Sequence, residues 1–285
     1  MTSPRSLLKA WGVYADKRWG QNFLADPQMA DLIVKRAGLQ PDDIVLEIGA
    51  GTGALTIPIA RSVQKVVAVE RDKRMVGLLR DELLAASVEN VIITQENILS
   101  FDFETLARTC PRPIVVMGNL PYNISSQILI RLIQYREVIS NAVLMFQKEL
   151  ADRIMAPPGN KVYGRLSVVV QYCARVDPLI TVGASSFYPR PKVDSEVLRI
   201  EFETPVSYPA RDESLFFRVV GAAFGQRRKT IKNALKGGNL GIGAEGVSDV
   251  LDRAGIDSRR RPETLGVKEF VDISNLIQKI EGLRN

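Results

Sequence analysis

From Asp43 onward, short runs of β-branched and apolar residues alternate with longer stretches whose apolar positions recur at helical spacing. Ile44 to Ile48, Lys65 to Glu70, Asn90 to Thr94, Ile114 to Gly118 and Ala142 to Phe146 read as strands, and the segments between them as amphipathic helices. Strands that are apolar throughout, separated by helices, predict βαβ units and a mostly parallel sheet covered on both faces. After Phe146 the pattern changes. Lys148 to Met155 reads as a helix, Pro157-Pro158-Gly159 breaks it, and Leu166 to Ala174 and Val193 to Phe202 read as two further strands that could pair antiparallel at a sheet edge. Glu203 to Asp212, with Pro205 and Pro209, reads as a linker into a helical tail from Glu213 to Ile280. The expectation is a Rossmann-like α/β domain over residues 1–204 and a small helical domain over residues 205–285.

Composition narrows the class. The 285 residues are 46% hydrophobic and 25% charged, as in a folded soluble chain, and no apolar run approaches the roughly 18 residues of a membrane span. Met1 to Lys9 lacks the apolar core of a secretory signal, so the expected compartment is the cytoplasm. Cys110 and Cys173 stand in no CxxC spacing and are expected to be reduced thiols. The chain has no histidine, which removes the commonest general base near neutral pH and the commonest metal ligand, so no metal is expected. A net charge of +6 favours a polyanionic partner without proving one.

Candidate chemistry falls at the ends of predicted strands. Glu47-Ile48-Gly49-Ala50-Gly51-Thr52-Gly53 follows the first strand of the sheet and opens a helix, a place where glycines let a ligand approach the backbone closely. The next strand ends in Glu70, about 20 residues past the turn, where a carboxylate can accept from a ribose diol. A dinucleotide asks for backbone amides around its pyrophosphate, whereas Glu47, Glu70 and Glu96 suit a cofactor that carries a sulfonium and an ammonium. The charge pattern therefore points to S-adenosylmethionine.

The fourth strand runs into Asn119-Leu120-Pro121-Tyr122. Pro121 fixes its own φ and holds Leu120 extended, so the Leu120 carbonyl and the Asn119 amide can point into one cleft as two acceptors. An exocyclic adenine amine is a poor nucleophile because its lone pair is delocalised into the ring. Two acceptors on its hydrogens favour a pyramidal nitrogen with the lone pair facing a methyl donor, and no strong base is needed. Tyr122 offers an aromatic face to a flipped base. The bland alternative is a proline-stabilised turn with a partly buried tyrosine.

Five motifs in order carry a family resemblance: Gly20-Gln21-Asn22-Phe23-Leu24, Glu47 to Gly53, Asn119 to Ser125, Phe187-Tyr188-Pro189-Arg190-Pro191-Lys192-Val193-Asp194-Ser195, and Ala223-Phe224-Gly225-Gln226-Arg227-Arg228-Lys229-Thr230. The chain resembles the ribosomal RNA adenine N6,N6-dimethyltransferases, in the form that acts on the bacterial small subunit (16S) rRNA. The resemblance implies that Asn22, Leu24 and Gly49 line the cofactor pocket, that Gly51 belongs to its turn, that Glu70 lies on the ribose and Glu96 near the adenine, and that Asn119 touches cofactor and target. It also implies that Phe187 stacks on the base opposite Tyr122; from the residues alone Phe187 reads as a loop aromatic. Glu96 departs from the family pattern, which commonly has aspartate followed by alanine, whereas Asn97 follows here. Trp19 is bulkier than that pattern suggests.

Arg227, Arg228, Lys229, Lys232 and Lys236 form an acid-free basic cluster, in which Arg228, Lys232 and Lys236 are spaced to share one helical face. Phosphate contact is the functional expectation, with a solvated basic face as the alternative for any one side chain. Arg259-Arg260-Arg261 extends that surface or simply sits in an exposed turn. The expected partner is small-subunit rRNA in an assembling 30S particle, bound by a monomer. The competing expectations are a large-subunit rRNA adenine methyltransferase conferring antibiotic resistance and a non-catalytic ribosome-assembly factor.

Overall fold

A computed structural model describes residues 3–15, 19–226 and 228–282. Its strands in chain order are β1 Phe23–Leu24, β2 Ile44–Ile48, β3 Lys65–Glu70, β4 Val91–Gln95, β5 Ile114–Asn119, β6 Ile139–Gln147, β7 Ala174–Val182, β8 Phe187–Tyr188 and β9 Ser195–Phe202. The large sheet runs β4-β3-β2-β5-β6-β9-β7. Pairings β2/β3, β3/β4, β2/β5 and β5/β6 are parallel, and β6/β9 is antiparallel. β1 and β8 form a separate antiparallel pair in which Leu24 faces Phe187.

The apolar runs dictate this arrangement. β2, β3 and β5 are buried along nearly their whole length, because helices cover both faces of a parallel sheet and leave no strand position for water. Val45, Val66, Val115, Met117, Val143 and Val197 join helix residues such as Ile33, Val34 and Leu79 in one core. The helices are started locally: Asp26 accepts from Met29 N–H, Asp72 from Arg74 N–H and Asp102 from Thr105 N–H, each filling an orphan donor of a first turn. Strand order reverses between β2 and β5. From β2 the chain proceeds to β3 and β4 on one side, then returns to β5 and β6 on the other. The connections that leave the C-terminal ends of β2 and β5 therefore run to opposite sides and leave a crevice there.

One expectation about the later strands needs correction. Leu166 to Ala174 is not a strand: Arg165–Cys173 is a helix, and the strand is Ala174–Val182. The β-branched run Val168-Val169-Val170 favours strand locally. However, the Ser167 hydroxyl accepts from Gly164 N–H at 3.0 Å and donates to the Arg153 carbonyl at 2.5 Å, which caps and anchors a helical turn. The two late strands are hydrogen-bonded neighbours at the sheet edge as expected, with β7 outermost and β9 between it and β6.

Two compact units emerge, Met1–Ala151 with Val176–Phe202, and Asp152–Arg175 with Glu203–Asn285. The second unit is thus discontinuous, and Asp152–Arg175 joins it from within the stretch assigned by sequence to residues 1–204. It is helical, with Arg165–Cys173, Glu213–Phe224, Ile231–Gly237, Ala244–Arg253 and Val267–Gly282. Its core includes Phe216, Val219, Leu235, Val250, Leu251, Phe270 and Ile277, all fully buried. Tyr172 packs against Phe216 with ring centroids 4.2 Å apart, and the Tyr163 hydroxyl donates to the Leu265 carbonyl at 2.9 Å.

Candidate active site

The crevice at the ends of β2, β3 and β5 is a cavity, and the residues that sequence put there meet in it. Asn22, Leu24, Gly49, Gly51, Glu70, Glu96, Asn119 and Leu120 all line it. The glycine turn permits this. Gly49 and Gly51 have φ of 72° and 53°, a region that side chains disfavour. A Cβ on Gly51 would stand 3.0 Å from the Phe23 ring, so the glycine is what lets β1 close down on the turn.

Glu70 holds the turn from β3. Its Oε2 accepts from Gly51 N–H at 2.9 Å and its Oε1 from Asp72 N–H at 2.8 Å. Burial pushes its carboxyl above the usual range, while these backbone donors pull the other way. Each oxygen keeps a second lone pair, which a diol can use.

Glu47 is different in kind. It is 1% exposed, its Oε2 has no hydrogen-bond partner among the described residues, and burial, followed by the charge of Glu70, raises its pKa to about 7. An orphaned buried carboxylate on a cavity wall is costly unless a cation meets it. The donor set thus fits a ligand with a sulfonium and an ammonium group.

At the end of β5, the Asn119 side-chain NH2 donates to the Asn22 carbonyl at 2.8 Å. A carbonyl can only accept, so this bond fixes which end of the carboxamide faces it and leaves Oδ1 as the outward acceptor. The Tyr122 hydroxyl shares a 2.8 Å hydrogen bond with Ser195 Oγ, which pins the ring. Burial raises the Tyr122 phenol, partly offset by that bond, so it stays protonated. Tyr122 and Phe187 lie outside the cavity wall; Phe187 is buried beside Leu24 in the β1/β8 pair.

Sequence reasoning gave no role to several wall residues: Trp19, Gln21, Arg71 and Asn123. Gln21 donates to Asp72 Oδ2 at 3.3 Å, and the Arg71 guanidinium lies over the Trp19 ring. One signal was available. Arg71 directly follows Glu70 at the carboxyl end of a strand, where such sheets bind ligands.

In the helical unit, Arg228 and Lys229 are exposed in the turn between Glu213–Phe224 and Ile231–Gly237; Lys232 is half-buried and Lys236 exposed on the second helix. Arg228 therefore does not share a helical face with Lys232 and Lys236, because the first helix stops at Gly225. Arg227 lies outside the described residues. Each arginine of the Arg259 to Arg261 run faces a carboxylate: Arg259 pairs with Asp257, Arg260 with Glu269 on the following helix and Arg261 with Glu263. Among the described residues no group of three or more acidic or thiol side chains is placed to hold a metal, and no helix is long and apolar enough to cross a membrane.

Comparison with known proteins agrees with this geometry. A family model described as ribosomal RNA adenine dimethylase matches residues 13–279. A ribosomal RNA small subunit methyltransferase A of Desulforapulum autotrophicum is 47% identical over 282 residues, covering 99% of each chain. Its namesake in Geobacter sulfurreducens is 45% identical over 267 residues, covering 92% of this chain and 95% of its own. Among solved structures, a dimethyladenosine transferase from Plasmodium falciparum matches with a TM-score of 0.76 at 28% identity, covering 88% of this chain and 95% of that one. The 23S rRNA methyltransferase ErmE shares the fold, with a TM-score of 0.68 at 24% identity over 90% of this chain and 99% of its own.

Proposed function

This chain belongs to the ribosomal RNA adenine dimethylase family, and on that premise we propose that it methylates N6 of two adjacent adenosines near the 3′ end of small-subunit (16S) rRNA, giving N6,N6-dimethyladenosine during ribosome biogenesis. It is an S-adenosylmethionine-dependent methyltransferase. The observation that carries the proposal is Asn119 on the cavity wall, its carboxamide turned by the Asn22 carbonyl so that Oδ1 faces outward as an acceptor.

When bound, S-adenosylmethionine supplies a methyl group on a sulfonium, an activated leaving group. Glu47 and the Gly49 turn hold its amino-acid end, Glu70 accepts from its ribose, and Glu96 lies on the adenine side. Asn22 and Leu24 cover it. Asn119 Oδ1 and the Leu120 carbonyl accept the two N6 hydrogens of the target and aim its lone pair at the methyl carbon. Tyr122 supports one face of the flipped base, its ring held by Ser195. Phe187 takes the other face, which requires its buried ring to be uncovered on the target side as RNA enters. The methylated amine loses its surplus proton to water, so the lack of histidine is no obstacle.

The helical unit contributes phosphate contacts through Arg228, Lys229 and Lys232, with Arg227 assigned the same role from sequence. The partner is an assembling small subunit, met in the cytoplasm by a monomer. Name and similarity both favour the small subunit, since the relatives at 45–47% identity carry that name while the large-subunit enzyme shares only the fold. The test is incubation with labelled S-adenosylmethionine and unmethylated small or large subunits. Label in small-subunit RNA is the expected result; label confined to large-subunit RNA overturns the assignment, and none in either overturns the enzyme reading.

A further inference from the structure

Trp19 and Arg71 line the cavity without a part in the chemistry above. The Arg71 guanidinium stands over the Trp19 ring, 5.4 Å from its centroid. Arg71 is exposed and Trp19 half-buried, which places the pair at the cavity rim.

The carboxylates on either side of Arg71 in sequence are already engaged. Glu70 accepts two backbone N–H groups, and Asp72 accepts the Arg74 guanidinium through both its oxygens. The Arg71 side chain makes no hydrogen bond or ion pair among the described residues, and its guanidinium lies against the indole face. The stretch that carries Trp19 is fastened just after it: Gln21 donates to Asp72, and the Asn22 carbonyl accepts from Asn119. A planar cation backed by an indole presents its other face to a flat ring, and guanidinium groups stack well on aromatic faces.

We propose that Trp19 and Arg71 form a stacked pair that closes the rim over the adenine ring of the cofactor, so that the pair sets how long the cofactor stays and not how fast the methyl group moves. The proposal rests on the reading above, which lays the cofactor's adenosine between Glu70 and Glu96. Arg71 is the residue after Glu70, and among the described residues that line the cavity it is the one cation. Both residues are positioning residues.

The test uses the full chain with Trp11→Phe, which leaves Trp19 as the one tryptophan of the two in the sequence. S-adenosylhomocysteine binding is followed by Trp19 emission and its release by stopped flow. Binding is expected to shift that emission. Arg71→Ala read by emission, and Trp19→Ala read by displacement of radiolabelled S-adenosylhomocysteine, should each speed release roughly three- to thirtyfold. The double variant should be no faster than the faster single one, because both break the same stack. Trp19→Phe keeps an aromatic face and should retain most of the slow release. Single-turnover methyl transfer at saturating cofactor should change by less than about twofold in all of them.

Release rates equal to those of the unmutated chain, or strictly additive effects, overturn the pair's role while leaving the cofactor site intact. Unchanged release with weakened RNA binding in Arg71→Ala also overturns it, and assigns the guanidinium to a phosphate. Failure of the unmutated chain to bind S-adenosylhomocysteine overturns the site reading and this proposal with it.

Discussion

Replacing Glu47 with glutamine should stabilise the cofactor-free protein in alkaline solution and weaken it as a cofactor receptor. Glu47 is 1% exposed and its carboxyl is raised from 4.5 to about 7, burial being the largest cause. A raised carboxyl means that the folded chain holds more protons than the unfolded one between those two values. The stability contributed by the protonated form is therefore fully present below pH 4.5 and is lost as pH rises through about 7. At about 1.4 kcal/mol per pKa unit, the loss is on the order of 3 kcal/mol by pH 8. Glutamine cannot ionise and escapes it. Urea unfolding of Glu47→Gln against the unmutated chain, without cofactor, should show little difference near pH 4.5 and a gain of up to about 3 kcal/mol at pH 8. With saturating S-adenosylmethionine the gain should shrink or reverse, because the ligand's positive charge meets the carboxylate only in the unmutated chain. A stability difference that is the same at both pH values, or one that cofactor leaves untouched, refutes the assignment of Glu47 as the buried counter-charge.

Asn119→Ala removes an acceptor that exists to face the target amine; methyl transfer should fall at least roughly a hundredfold, while filter-binding affinity for rRNA stays within about twofold. Gly118→Ala would place a Cβ 2.6 Å from the Ile48 carbonyl oxygen, across the β2/β5 pairing that opens the crevice. Backbone cannot yield there as a side-chain tip can, so a loss of at least about 1–3 kcal/mol is expected in thermal or urea unfolding. Lys229→Glu with Lys232→Glu should weaken rRNA binding and flatten its log-log salt dependence by up to about two charges' worth, measured from 50 to 200 mM salt. An unchanged slope would return both lysines to the solvated surface.

Much of the sheet was legible because a parallel strand covered on both faces has to be apolar throughout, and Ile44 to Ile48 and Ile114 to Gly118 have that pattern. The site was legible to the extent that its residues sit at strand ends: Glu47, Glu70 and Asn119 each close a run of apolar residues. What failed to show has identifiable causes. Arg165–Cys173 is buried on nearly every side, and such a run looks alike as helix or strand until something caps it; here Ser167 does. Ala174–Val182 carries Asp177 and Pro178 and lies at the sheet edge, where alternation is weak and proline is tolerated. The turn of Asn119 by Asn22 joins residues 97 apart through a backbone carbonyl, which no side-chain pattern encodes. The basic cluster was misjudged as one helical face because the second helix starts only at Ile231, inside the cationic run. Phe187 entered through resemblance alone, and a two-residue strand leaves no periodicity to find.

The central claim is that Asn119 and Leu120 present a base nitrogen to the methyl donor. Its most direct test is mass spectrometry of nucleosides from small-subunit rRNA, isolated unmethylated and treated with S-adenosylmethionine and either the unmutated chain or Asn119→Ala. The account expects N6,N6-dimethyladenosine at two adjacent positions near the 3′ end with the unmutated chain, and almost none with the variant. Methylation on a ring carbon or a ribose oxygen, or dimethyladenosine formed equally well by Asn119→Ala, would contradict it.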